Sequence, residues 1–458
     1  MNYQNPNPIQ PSDIVVALDI GTSKVCAIAG KVSKYGKLEI LGIGVAESVG
    51  IARGQVSNIE KTVQAITEAV ESCSRAIQMP IQNVHIGIAG QHIKCHSHRG
   101  LLTRDNILTE ISRQDLDKLV DDMYKMVLPP GEKILHVIPQ EYTVDNEQGV
   151  LDPIGMSGVR LEANFQIITG NTTAFFNLKK CVEKAGLHIV DLTLEPIAAA
   201  EAVLSDQEKQ AGVVLVDIGG GTTDIVVFHE GIIRHSAVIP MGGNLITKDI
   251  KEGCKVMQPQ AEKLKVKYGA ALAEEVYENR VISIQGLNNR DFKEISEKNL
   301  AQIIEARLFD IFDWIQFELK KSGYDSRKLI AGYVLTGGGS MLKHIDKFAE
   351  YHSGMHTRIG RPVEALAHGY SEQMSSPALS TATGLLLRAL KHNELQSFIF
   401  DKSNSTESAF LSQNNTKTKQ EEKNEKPSEQ ELEESGSIIS NLFHRVRNWF
   451  EAEPDTEL

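Results

Sequence analysis

Asp217 and the residues just after it are of types that can hold phosphate. The stretch from Val213 to Ile225 reads Val-Val-Leu-Val-Asp-Ile-Gly-Gly-Gly-Thr-Thr-Asp-Ile. A short β-branched run reads as a buried strand, and Gly219, Gly220 and Gly221 let the backbone turn tightly with its amides pointing inward. Thr222 and Thr223 add hydroxyl donors, and Asp217 stands where a strand ends, placed to hold a hydrated divalent cation against phosphates. The same residues also spell a glycine hairpin between two strands with no ligand.

A second copy favours the ligand. Near the start, Ile14-Val-Val-Ala-Leu-Asp19-Ile20-Gly21-Thr22-Ser23-Lys24-Val25 repeats the grammar of apolar strand, acid, glycine, hydroxyls and a return to strand. Two acid-tipped hairpins about 200 residues apart imply two similar domains facing one nucleotide. Neither is a Walker loop, and a dinucleotide-binding glycine motif would open a helix, whereas here the chain returns as a strand.

Three further places carry chemistry. Glu195 begins Glu-Pro-Ile-Ala-Ala-Ala-Glu201, a helix start whose acid is either a water-ordering group near the phosphates or simply well placed against the helix dipole. Glu262 and Lys265 share a helical face, as a surface ion pair or as polar hands for a ribose. Gly337, Gly338 and Gly339 come after an apolar strand and precede an expected helix from Met341, a place for phosphate or a flat polar base. His92, Cys95, His96 and His98 invite a metal reading, but strand alternation turns adjacent ligands to opposite faces and no second ligand group is near.

The elements that must position these residues form an α/β pattern. Strands, an amphipathic helix over Asn58 to Ile77 and a strand over Val84 to Ala89 open the chain. A separate module comes next, from about Gly90 to Asn164: a strand through His98, a Ser112-capped helix reaching Val127, and strands over 134–144 and 159–165. The first pattern then resumes with a strand over Gln166 to Thr169, a helix over Asn171 to Ala185 and a strand over His188 to Leu194. Helices are expected over Pro259 to Leu272 and Leu300 to Lys321. Pro377 to Arg388 repeats the small-residue helix of 196–204, and the two together could form a hinge.

With 458 residues, 41% of them hydrophobic and 24% charged, the chain has room for two to four domains with real cores. A net charge of −12 argues against nonspecific nucleic-acid binding. Five scattered cysteines without a C-x-x-C pair fit a reduced compartment, and neither a signal peptide nor a transmembrane run is read. The chain is expected inside the cell.

The tail divides in two. Residues 393–436 are polar and charged, a flexible linker in composition. Beyond it, Ile438, Ile439, Leu442, Phe443, Val446, Trp449 and Phe450 fall within an arc of roughly 140° on a helical wheel. With Arg445 and Arg447 at its flanks, an amphipathic helix over 437–451 suits the lipid interface. A partner groove or the chain's own body is the competing berth.

Taken together these motifs resemble the actin, heat-shock chaperone and sugar-kinase ATPase superfamily, and within it the FtsA family of bacterial cell-division proteins. The resemblance spans about 13–391. It is carried by phosphate motifs at 18–25 and 216–225, an adenosine motif at Val334-Leu-Thr-Gly-Gly-Gly-Ser-Met-Leu342, connecting helices at 194–204 and 377–390, and the phrases Pro240-Met-Gly-Gly-Asn-Leu-Ile-Thr247 and Ala261-Glu-Lys-Leu-Lys-Val-Lys-Tyr-Gly269. Met241, His352, Ser380 and the histidine-rich start of the module depart from the expected pattern without touching a phosphate contact.

The resemblance implies a two-lobed actin-like ATPase fold of duplicated ribonuclease-H-like domains with a small α+β inserted subdomain. The first domain would be 12–89, 165–198 and 377–392, the insert 90–164, and the second domain 199–376. Residues about 230–320 would form a smaller subdomain that binds the FtsZ C-terminal peptide, with Arg307 as a contact. ATP and Mg2+ would lie in the cleft. Asp19 and Asp217 would hold the cation, Gly21, Thr22, Ser23, Lys24, Gly219, Gly220, Gly221, Thr222 and Thr223 would wrap the phosphates, and Glu262, Lys265, Gly337, Gly338 and Gly339 would line the ribose and base. Glu195 would face the attacking water, with hydrolysis at most slow. The implied protein polymerises on the cytoplasmic face of the membrane at the division septum, ties FtsZ filaments there and helps recruit later division proteins. The rivals are a pilus-assembly PilM-like or shape-determining MreB-like relative and, further off, a sugar kinase.

Overall fold

β1 (Val15–Ile20) is buried along its whole length and turns at Gly21 into the antiparallel β2 (Lys24–Val32), which pairs with β3 (Leu38–Glu47). The computed structural model describes residues 14–106, 109–285, 292–324, 327–367 and 372–391. Two-residue strands β4 (Ile51–Ala52) and β5 (Gln55–Val56) form a small hairpin that the sequence pattern misses. The expected helix comes next as α1 (Ile59–Ile77). Asn58 caps it by accepting the Lys61 N–H at 3.0 Å, and its apolar stripe of Ala65, Ile66, Ala69, Val70 and Cys73 is buried. β6 (Asn83–Ile88) then lies parallel to β1.

The inserted module holds β7 (Lys94–Thr103), α2 (Arg113–Tyr124), β8 (Glu132–Val144), β9 (Glu147–Val150) and β10 (Arg160–Asn171), in the sheet order β7-β10-β8-β9. Val127 lies past the end of α2 and is exposed. β10 corrects the expected boundary at 164. It pairs with β7 without interruption from Arg160 to Thr169, so residues 166–169 belong to the insert's sheet and not to the first domain's. The apolar run is continuous there, and a bulge at Asn164/Phe165 in its pairing with β8 is what breaks the alternation.

The chain returns through α3 (Thr172–Lys184), β11 (His188–Leu194) and α4 (Glu195–Val203), and α5 (Asp206–Ala211) leads on to the second domain. That domain contains β12 (Val213–Ile218), β13 (Thr223–His229), β14 (Ile232–Ile239), α6 (Gly243–Cys254), α7 (Gln258–Tyr268), β15 (Val281–Gln285), β16 (Phe292–Ser296), α8 (Glu297–Ser322), β17 (Gly332–Thr336), α9 (Ile345–Ser353) and β18 (Thr357–Ile359). Helix α10 spans residues 380–391.

The two domain sheets have one topology. The first runs β3-β2-β1-β6-β11 and the second β14-β13-β12-β17-β18. In each, two antiparallel pairings are succeeded by two parallel ones. This is the duplication that the two hairpins announced. α4 and α10 cross where a Cβ on Gly384 would collide with the Ala198 carbonyl, so the small residues permit the backbones to touch. Residues 392–458, including the expected linker and the apolar helix at 437–451, lie outside the described residues.

Candidate functional site

The two hairpins meet tip to tip. Asp19 and Asp217 are each the last residue but one of their strands, β1 and β12, and each turn is pinned by one backbone bond, Gly21 N–H to the Lys24 carbonyl at 3.0 Å and Gly219 N–H to the Thr222 carbonyl at 2.9 Å. A side chain at Gly220 would strike Ser23 Oγ, and one at Gly221 would come within 2.7 Å of Thr22 Oγ1. Glycine is therefore the residue that lets the second hairpin close on the first. The Gly242 region packs behind it, with the Gly243 and Asn244 amides donating to the Gly219 and Gly220 carbonyls at 2.9 and 2.8 Å.

The triglycine at 337–339 completes the cleft. Gly337 has φ of 80°, and a Cβ there would collide with Asp217 Oδ1. The chain continues there as a one-turn 3-10 helix, Gly338–Met341, and not as the α-helix expected from Met341; α9 begins at Ile345. Thr381, just inside α10, donates to Asp217 Oδ2 at 2.9 Å. Lys24 reaches from the first hairpin to the Ala378 carbonyl.

Glu262 and Lys265 do lie together, at 2.9 Å, and not as a free surface pair. Lys265 Nζ also donates to the Gly243 carbonyl at 3.0 Å and to Thr247 Oγ1 at 2.8 Å, tying α7 to the start of α6 behind the second hairpin.

Four carboxyls share the cleft, and each is pushed above its ordinary range. Desolvation raises Asp19 to about 6, with Lys24 opposing and Asp217 adding to the rise. Desolvation raises Asp217, while the Thr381 hydroxyl and Lys24 pull it back. Desolvation and Asp217 push Asp224 up to about 8 against a hydrogen bond from Thr222 at 3.1 Å. Glu195 stands well above its usual value through desolvation and then Asp19, Asp224 and Asp217. A cation entering such a cleft would favour the ionised forms that burial suppresses.

Asp224 is the residue that the sequence reading missed. It lies directly opposite Asp217 across the hairpin, buried, and its Oδ1 has no hydrogen-bond partner among the described residues. The pairing was available from the turn itself: a hairpin that closes through 219–222 must set residue 224 against residue 217.

The donor set fits magnesium. Its atoms are hard carboxylate oxygens, one of them orphaned, beside a cradle that glycines keep open. Among the described residues no three His, Cys, Asp or Glu side chains are grouped closely enough to hold a metal ion by themselves.

Glu195 opens α4 and lines a small cavity of about 10 Å³ with Ile20, Gly54, Gly87 and His92. Two histidines of the insert attend it. His136 Nε2 accepts the Leu194 N–H at 3.2 Å, one residue before Glu195, and burial lowers its pKa to about 4. His92 Nδ1 accepts from Gln55 at 3.1 Å, and burial likewise lowers it to about 4. Cys95 bonds Gln166 within the insert's sheet, whereas His96 and His98 are exposed. Arg307 is outside this group. It lies half-buried on α8, bound to both carboxylate oxygens of Asp249 and to Asp310 at 2.7 Å.

A family model described as cell division protein FtsA matches residues 214–384, and one described as an SHS2 domain inserted in FtsA matches residues 90–169. The chain is 42% identical over 383 residues to the cell division protein FtsA of Neisseria meningitidis, covering 83% of this chain and 91% of that protein. It is 39% identical to that of Pseudomonas aeruginosa, covering 84% and 91%, and 32% identical to that of Escherichia coli K12, covering 81% and 89%. Among solved structures it superposes on a chain of the PilM–PilN type IV pilus biogenesis complex with a TM-score of 0.61 and 16% identity, covering 82% of this chain and 98% of that one. MreB5 of Spiroplasma citri bound to ADP gives a TM-score of 0.50 and 16% identity, covering 82% and 95%. These likenesses establish an actin-like α/β fold.

Proposed function

The chain belongs to the FtsA family of cell-division proteins, and from that membership we propose that it binds ATP with Mg2+ between its two domains and uses the nucleotide to govern assembly with its own kind. The observation that carries this reading is the face-to-face closure of the Asp19 and Asp217 hairpins, with Gly220 against Ser23. In it Asp19, Asp217 and Asp224 hold the hydrated cation, and the turn residues 21–24 and 219–223 wrap the phosphates, the Gly21 and Gly219 amides being the ones that pin the turns. The 337–339 turn and the Glu262–Lys265 pair border the nucleoside end. Magnesium, when bound, neutralises phosphate charge.

Glu195 fits a slow enzyme. Burial, and then the neighbouring Asp19, Asp224 and Asp217, push its carboxyl well above the usual range and disfavour the ionised form that would accept a proton from water, so positive charge entering the cleft would ready it as a general base. ATP then serves chiefly as an assembly ligand. The insert at 90–169 is the subdomain for contacts between copies, and α6 to α8 form the face for the FtsZ C-terminal peptide. A peptide contact at Arg307 would have to compete with Asp249 and Asp310 for its guanidinium. The helix at 437–451 would hold the polymer on the cytoplasmic face of the membrane, weakly for one copy and firmly for many. Among the described residues no helix is long and apolar enough to cross a membrane.

Liposome pelleting tests the anchor, comparing the full chain, a truncation after Phe400 and Trp449→Glu, with and without ATP and FtsZ. The full chain should pellet and the other two stay in solution; equal pelleting of all three would sink the idea. PilM-like and MreB-like proteins share the fold, but the family comparisons favour a division protein. Selective retention of FtsZ filaments on the pelleted membranes is the result that separates the two.

A further inference from the structure

The short hairpin of β4 and β5 was not expected, and its tip touches both phosphate turns. Gly54 N–H donates to Thr22 Oγ1 at 3.2 Å. A Cβ built on Gly221 would lie 3.0 Å from the Arg53 amide nitrogen. Arg53 has φ of 52°, in the left-handed region that a residue with a side chain adopts at a cost. Its side chain is exposed, with no carboxylate partner among the described residues.

A second observation concerns charge. Asp19, Asp217, Asp224 and Glu195 converge on the cleft, and the cation bearing on Asp19 and Asp217 is Lys24, already bound to the Ala378 carbonyl. A nucleotide would bring several more negative charges to the same tips. An arginine whose backbone lies beside both turns brings to them a planar fork of donors matched to phosphate oxygens.

We infer that Arg53 is a phosphate-binding residue, closing over the terminal phosphate of the nucleotide as a third element beside the two glycine hairpins. The inference rests on the nucleotide-binding reading of the cleft and adds to it a sensor of phosphate number. Two residues on, Gln55 bonds His92 at the start of the insert, so the position of the tip is passed on to the insert.

Equilibrium binding of ATP, ADP and AMP with Mg2+ to the full chain tests this, using wild type, Arg53→Asn, Arg53→Lys and Asp217→Ala. Asparagine is chosen because it accepts left-handed backbone. Arg53→Asn should weaken ATP binding about tenfold or more, weaken ADP less and leave AMP unchanged, with Arg53→Lys in between. Wild-type ATP affinity in Arg53→Asn, with binding lost in Asp217→Ala, overturns the inference and leaves the site standing. An equal loss for all three nucleotides also overturns it, since Arg53 would then act only on the hairpin's shape. A wild-type chain that binds no nucleotide removes the reading of the cleft itself.

Discussion

The two hairpins share a topology and differ in what lies across from the acid. Asp19 pairs in register with Cys26, a buried thiol that burial pushes up to about 12 and keeps inert. Asp217 pairs with Asp224, a second buried carboxyl raised to about 8. Lys24 also belongs to the first turn, whereas the second turn is all glycine and threonine. Duplication has thus given one frame two characters. The first hairpin sets one raised carboxyl beside a lysine; the second concentrates two carboxyls that desolvation raises, Asp224 further still through the charge of Asp217.

Making the first hairpin resemble the second should have the largest effect. Cys26→Asp would bury a second carboxyl beside Asp19, and the nucleotide-free protein should lose about 3–5 kcal/mol in urea unfolding. Little change would mean that the first hairpin is wetter than its packing indicates.

The reverse change, Asp224→Asn, should stabilise the nucleotide-free protein by roughly 2–4 kcal/mol at pH 8 while weakening Mg2+-dependent nucleotide binding. The gain must depend on pH. Below about pH 4 Asp224 is neutral both folded and unfolded, and the variant gains nothing. Between about 4 and 8 only the unfolded chain readily gives up the proton, so wild-type stability falls as pH rises and the variant's advantage grows to its full size. Melting temperatures of the two proteins across that window check it, and parallel curves would show that Asp224 is not the strained acid.

Much of this contrast was legible in the residues. Both acid-glycine turns, the Asn58 cap and the small-residue helices needed only periodicity and turn chemistry, and Gly384 against Ala198 is the close contact those helices implied. Four features were hidden for physical reasons. Asp224 sits inside a strand, where it reads as alternation until the register of the hairpin is drawn. The Arg53 hairpin has strands of two residues, too short for any period. The single strand β10 looked like two because a bulge shifts its phase. His136 carried no signal, since its bond to the Leu194 amide joins residues 58 apart in the chain.

The smallest effect sharpens the comparison furthest. Asp19 is steadied by a charge, Lys24, and Asp217 most of all by a hydroxyl, Thr381 at 2.9 Å. Thr381→Val keeps the shape and removes that donor, so Asp217 should rise further and nucleotide affinity fall by about 1 kcal/mol, several-fold in the binding constant. Lys24→Met removes a charge and should weaken binding by a similar or larger amount. Salt separates the two: Lys24 is only half-buried, so ionic strength screens its charge in part, whereas a hydroxyl bond is not screened; raising ionic strength should shrink the deficit of Lys24→Met somewhat and leave that of Thr381→Val unchanged. If both deficits shrink together, Asp217 too depends on charge, and the two hairpins are less different than their sequences make them.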